Sequence, residues 1–114
     1  MPYTAYNARK SYIQENPEII KGFTNAINQA LIYVAENDAK TIASHIINYF
    51  PDISINDLIT IVEEYKNGDA WKKNITINEQ EWNHIQDIII EAGELKNYAP
   101  YNELIYTKYF KDYE

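Results

Sequence analysis

Apolar residues return along most of this chain in steps of three and four, the period of a helix with one buried face. The longest such run follows Asn16-Pro17, where Ile20, Phe23, Ile27, Leu31 and Val34 line up toward Asn37. Asn16 suits an N-cap, Pro17 the first helical position, and Glu18 the positive end of the helix dipole. Gly22 inside this helix costs about 1 kcal/mol relative to Ala, which predicts a close contact there. Ahead of it, residues 7–15 predict a short helix capped by Asn7.

Downstream, the stops and starts are locally signed. Asp38 predicts the cap of a third helix running to Tyr49, with Ile42, Ile46 and Ile47 inward and Pro51 ending it. Ser54 and Asp57 have the spacing of a capping box before Ile55, Leu58, Ile59, Val62 and Tyr65, and Gly68 ends that stripe. Trp71 falls in the following loop. Asn78 with Glu81 opens a fifth helix bearing Trp82, Ile85, Ile88, Ile89 and Ala92, which Gly93 closes. A last short helix is predicted from Pro100 to about Phe110, with Tyr106, Tyr109 and Tyr113 frayed or docked.

Met1 to Tyr6 breaks the pattern. Pro2 disfavours helix, and the aromatic and β-branched residues around it predict an extended segment with Tyr3 and Ala5 on one side, Thr4 and Tyr6 on the other. A single strand cannot satisfy its own backbone groups and needs a partner. The expected fold class is therefore mainly α, five to six helices behind a short extended N-terminal segment. As a single domain it divides into a hinge-like segment 1–6, a helical array 7–110 and a tail 111–114.

Composition narrows the function more than it names it. At 46% hydrophobic and 24% charged the chain is globular rather than disordered, and its 114 residues suffice for one core. Seventeen acidic against 10 basic side chains give a net charge of −7, which repels phosphate backbones, so no nucleic acid partner is expected. The absence of cysteine removes disulfides, thiolate catalysis and Cys-based zinc sites. No apolar run approaches the ~20 residues of a membrane helix. No charged-then-apolar leader opens the sequence.

The titratable residues form no catalytic pattern. His45 and His84 each fall on an amphipathic helix without a nucleophile or orienting group in the pattern, and read as surface or boundary residues. Glu81 and His84 have the Glu-x-x-His spacing of di-iron bundles, but the second pair such a site needs is missing, since Ile42 precedes His45 at the matching position. Glu63-Glu64 are adjacent on a helix and do not face each other. Glu79 and Glu81 suit a first helical turn. These readings predict no metal, no cofactor and no enzymatic activity. Eleven tyrosines are the compositional oddity. Tyr33, Tyr49 and Tyr65 are expected along core stripes with hydroxyls at the rim.

The ordered string PYTAYNARKSYIQENPEIIKGFTNAINQALIYV, followed by FPDISINDLITIVEEYKNGDAW and IIIEAGELKNYAPYNEL, resembles the C-terminal region of ABC-importer solute-binding proteins. The class is that of nitrate, sulfonate, taurine and thiamine-pyrimidine-precursor binders. The match spans nearly the whole chain in order. The resemblance implies part of a type II binding fold, two α/β lobes around a cleft joined by crossing strands. In it, the region like Pro2–Ala8 is a returning hinge strand, and the following helices pack on the first lobe. It further implies a parent about three times as long, exported to the periplasm or cell exterior and often held by a lipid anchor, of which this chain would be an excised domain or a truncated product.

Partners implied in this way are the N-terminal α/β lobe of the parent, an ABC permease, and a small anionic or heteroaromatic solute held mainly by other parts of the parent. Within this chain the candidates for ligand contact are Tyr3, Thr4, Tyr6 and Asn7, positioning the hinge or stacking on a planar ligand. Uncovered helix faces and an unpaired strand would favour homo-oligomers of the isolated chain. A rival reading is a stand-alone acidic helical interaction module that binds through its Tyr-rich C-terminus. A third, pyrimidine-precursor synthesis as in some relatives of the fold, lacks its cysteine-bearing motif here.

Overall fold

A computed structural model of the protein describes residues 4–113. It is mainly helical, with α1 Lys10–Glu15, α2 Pro17–Glu36, α3 Ala39–Ile46, α4 Ile55–Asn67, α5 Glu79–Glu91 and α6 Tyr101–Leu104, plus 3₁₀ turns at Ile47–Tyr49 and Phe110–Tyr113. No β-strand forms among the described residues: Thr4 to Arg9 carry no regular structure, and Met1, Pro2 and Tyr3 lie outside them. No helix among the described residues is long and apolar enough to cross a membrane.

The helix starts follow the local chemistry of the sequence. The Asp38 carboxylate accepts from Thr41 N–H at 2.7 Å, and Thr41, through its side-chain hydrogen bond ahead of this backbone one, holds the Asp38 pKa below its ordinary value. Ser54 accepts from Asp57 N–H at 3.1 Å and donates its hydroxyl to the Asp57 carboxylate at 2.8 Å. Asn78 and Glu81 form a complete capping box, each side chain accepting from the other's backbone N–H at 2.8 and 2.9 Å.

Other boundaries move. α1 begins at Lys10 rather than at residue 7, because the Asn7 amide donates to Ala5 O at 3.0 Å instead of capping a helix. The Asn16 amide likewise turns back to Tyr12 O at 3.1 Å, closing α1. The last helix is a single turn ending at Leu104, with Ile105 already extended (ψ 119°). Ile105, Tyr106 and Thr107 are β-branched or aromatic and hold a helix poorly without packing.

The chain divides into two compact units, Met1–Thr24 with Ile75–Glu114, and Asn25–Asn74, the boundary falling within α2. In the Asn25–Asn74 unit α3 packs on α4, and the core is Ala39, Ile42, Ala43, Leu58 and Val62. Val34, Ile46, Ile47, Ile53, Ile59 and Trp71 pack half-buried around it. Lys66 braces this unit: its ammonium donates to Val34 O at 2.6 Å and Asn37 O at 2.5 Å, satisfying carbonyls at the end of α2.

The other unit has no buried apolar residue among those described; its one buried side chain is Gln86. Gln86 Oε1 accepts from Ala99 N–H at 2.5 Å, and its amide donates to Ala99 O at 3.4 Å. The Trp82 indole donates to the same carbonyl at 2.9 Å. Tyr101 OH donates to Ile77 O at 2.6 Å, and Tyr98 OH to the Asp87 carboxylate. That last bond raises the Tyr98 pKa, while burial, ahead of Glu79 and Glu81, raises that of Tyr101. Hydrogen bonds from side chains to a loop thus do here what apolar burial does in the other unit.

Several expected core residues are exposed. Ile88 and Ile89 on α5 are 42% and 38% exposed, because the helix turns Trp82, Ile85, Gln86 and Ile90 inward instead. Phe23 is exposed on α2, where no residue is fully buried. Tyr33, Tyr49 and Tyr65 are exposed rather than lined along a core. Gly22 faces open space, with nothing within 4 Å of where a Cβ would stand, so no close approach explains it.

Candidate functional site

Of the four residues read as ligand contacts, Tyr3 lies outside the described residues. Thr4, Tyr6 and Asn7 are exposed, and Tyr6 sets its ring edge-on against Phe23 with centroids 5.0 Å apart. The structure brings Tyr6 to α2 and leaves Asn7 bonded to its own segment.

An aromatic-lined depression lies elsewhere, within the Asn25–Asn74 unit, where the end of α4 turns back over α2. Helix α4 closes with a Schellman motif: Ala70 N–H donates to Tyr65 O at 3.0 Å and Asp69 N–H to Lys66 O at 3.2 Å. The left-handed position of this motif is held by Asp69 at φ 51°, not by Gly68, whose φ is −80°. Gly68 does end α4 as the sequence predicts, but as the C-cap, with the left-handed residue one position on. α5 ends in the same motif with Gly93 at φ 79°, Gly93 N–H donating to Ile90 O and Glu94 N–H to Ile89 O.

This pair gives a stability prediction. Gly93→Ala forces an L side chain into the left-handed region and is expected to cost about 1 kcal/mol. Asp69→Gly relieves that region at α4 and is expected to gain about 0.5 kcal/mol, the relief being partly offset by the freedom glycine adds to the unfolded chain. Urea denaturation followed by helix ellipticity measures both signs.

The Schellman turn returns the chain so that Trp71 stacks on Tyr65, centroids 5.4 Å apart and planes 20° from parallel. Together they line a depression of about 200 Å³ whose apolar wall is Leu31, Val34 and Ala35 of α2. Lys66, Lys72 and Lys73 stand around it with Asp69 as the one acidic residue. Three of the chain's ten basic residues therefore gather at one place on a protein of net charge −7. Sequence reasoning missed this site because Trp71 sits in a loop, where periodicity says nothing. The available signal was two aromatics flanking a helix stop with a lysine beside each.

Comparison with known proteins places the chain beside a protein of Bacillus subtilis (strain 168) named "Putative binding protein YtlA". The two are 34% identical over 105 residues, covering 92% of this chain and 31% of that protein. The chain resembles a binding protein. It spans about a third of that relative's length. No protein-family model matches the chain, and no solved structure matches it significantly.

Proposed function

We propose that this chain is the helical, C-terminal part of the solute-binding component of an ABC importer, and that it does not hold the transported solute by itself. The observation carrying this reading is the similarity to YtlA, which runs through 92% of the chain yet engages 31% of that binding protein. A segment alike from end to end, but a third of the relative's length, fits a part whose ligand cleft is completed by the rest of a parent. Packing agrees with it. Large apolar side chains stand exposed on α2, α4 and α5 (Ile19, Phe23, Ile61, Ile88), as expected of helices that cover a further α/β lobe.

In this reading the parent is exported, anchored outside the cytoplasmic membrane and delivers a small anionic or heteroaromatic solute to a permease. Tyr6 and Asn7 would belong to the hinge. The role is binding and transport, not catalysis. The reading frame upstream of Met1 tests it: an in-frame α/β lobe behind an export signal is the expected finding. A separate promoter and ribosome-binding site would overturn it in favour of a stand-alone acidic interaction module. At the protein level, calorimetry of the isolated chain with sulfonates and aminopyrimidines is expected to give no micromolar binding.

A further inference from the structure

The depression at the end of α4 carries an inference that goes beyond the transport reading and does not depend on it. We propose that Trp71 and Tyr65, with Lys73 at the rim, form a subsite for a small planar aromatic carboxylate. Three independent features meet there. The first is geometric: a concavity of about 200 Å³ is below the ~300 Å³ at which drug-sized pockets begin, so it suits a single ring. The second is chemical. Trp71 and Tyr65 are already stacked, Tyr65 is half exposed, and apolar α2 residues back them, so an aromatic ring gains both stacking and burial.

The third feature is electrostatic. Lys66 and Lys73 set two ammonium groups against the single carboxylate of Asp69 in this lining, on an otherwise acidic protein, and that favours an anion over a neutral ring. Lys66 contributes charge from a fixed position, since two of its three N–H donors are given to Val34 and Asn37 carbonyls. Lys73, exposed at the rim, is the residue free to follow the carboxylate. Asp69 supports the assignment from the backbone: an L residue held at φ 51° is the strained element that sends Trp71 back over Tyr65. A ligand of so few atoms binds weakly, in the millimolar range.

The test is a titration of the full chain with benzoate, benzamide and inorganic phosphate, followed by the Trp71 indole and the backbone amides of residues 69–73 in NMR spectra. Benzoate is expected to move these resonances saturably, with benzamide and phosphate each about tenfold weaker or more. Lys73→Gln, on an exposed side chain that leaves the fold alone, is expected to weaken benzoate about fivefold, as loss of an exposed charge contact should. Trp71→Leu is expected to abolish binding, and the Lys73 variant keeps the test decisive should that change loosen the unit. Equal effects of benzoate and benzamide, equal effects of benzoate and phosphate, or no movement of the Trp71 indole would overturn the proposal. The upstream reading frame, which decides the transport reading, is untouched by any of these outcomes.

Discussion

Leu58→Ala is expected to cost about 3 kcal/mol and to abolish cooperative folding of the Asn25–Asn74 unit. Leu58 is 3% exposed, and the core it shares holds four other residues, of which Ala39 and Ala43 are already minimal. Removing its isopropyl group takes away the transfer energy of three carbons and leaves a void that neither alanine can fill. A unit of this size has only a few kcal/mol to lose, at about 0.05–0.15 kcal/mol per residue. Ile88→Ala on α5 is the control: at 42% exposure it should stay within about 1 kcal/mol of the parent. Urea denaturation of both variants by helix ellipticity gives the comparison. Similar small losses for the two would mean that the α3–α4 contact is not the core.

Gln86→Leu should be the most damaging single change in the other unit, at about 2 kcal/mol. Leucine keeps roughly the volume but leaves the Ala99 N–H without its acceptor, and Ala99 O with the Trp82 indole alone. Every buried side-chain nitrogen and oxygen among the described residues has a partner, so nothing stands ready to replace the lost amide. The Ala99 amide is expected to lose its hydrogen-exchange protection first, with Tyr98 and Tyr101 following as the loop loosens. Gln86→Glu separates the parts: it keeps an acceptor for Ala99 N–H but buries a charge, so its damage should ease as pH falls and the carboxyl protonates. The sign follows from burial, which raises a carboxyl's folded pKa above its unfolded value, so the destabilisation is present above that folded pKa and fades below it.

These two residues also mark what the sequence made legible. Leu58 lies on a stripe with Val62 that a helical period finds directly, and the caps Asp38, Ser54 and Asn78 are read from residues no more than three apart. Local chemistry of that kind survives in any context. Gln86 could not be read this way, because its inward turn is set by Ala99, thirteen positions on, and a period of apolar residues points to Ile88 and Ile89 instead. The C-terminal Pro100–Phe110 segment failed for a related reason: Ile105-Tyr106-Thr107 needs packing to stay helical, and α6 stops at Leu104. The aromatic depression depends on an aspartate adopting φ 51° beside a glycine that does not, which no composition argument distinguishes.

The candidate site read from the sequence and the one built by the fold are different places. Tyr6 rests on Phe23, and the hinge role given to it and to Asn7 rests on resemblance. Trp71, Tyr65 and the lysines rest on geometry.

In the transport reading, the exposed apolar faces of these helices are surfaces made to be covered. Sedimentation velocity of the isolated chain across the micromolar range measures that directly. Association that grows with concentration is the predicted result, since uncovered isoleucine and phenylalanine faces bury against one another when no other cover is present. A single monomeric species at every concentration would contradict it.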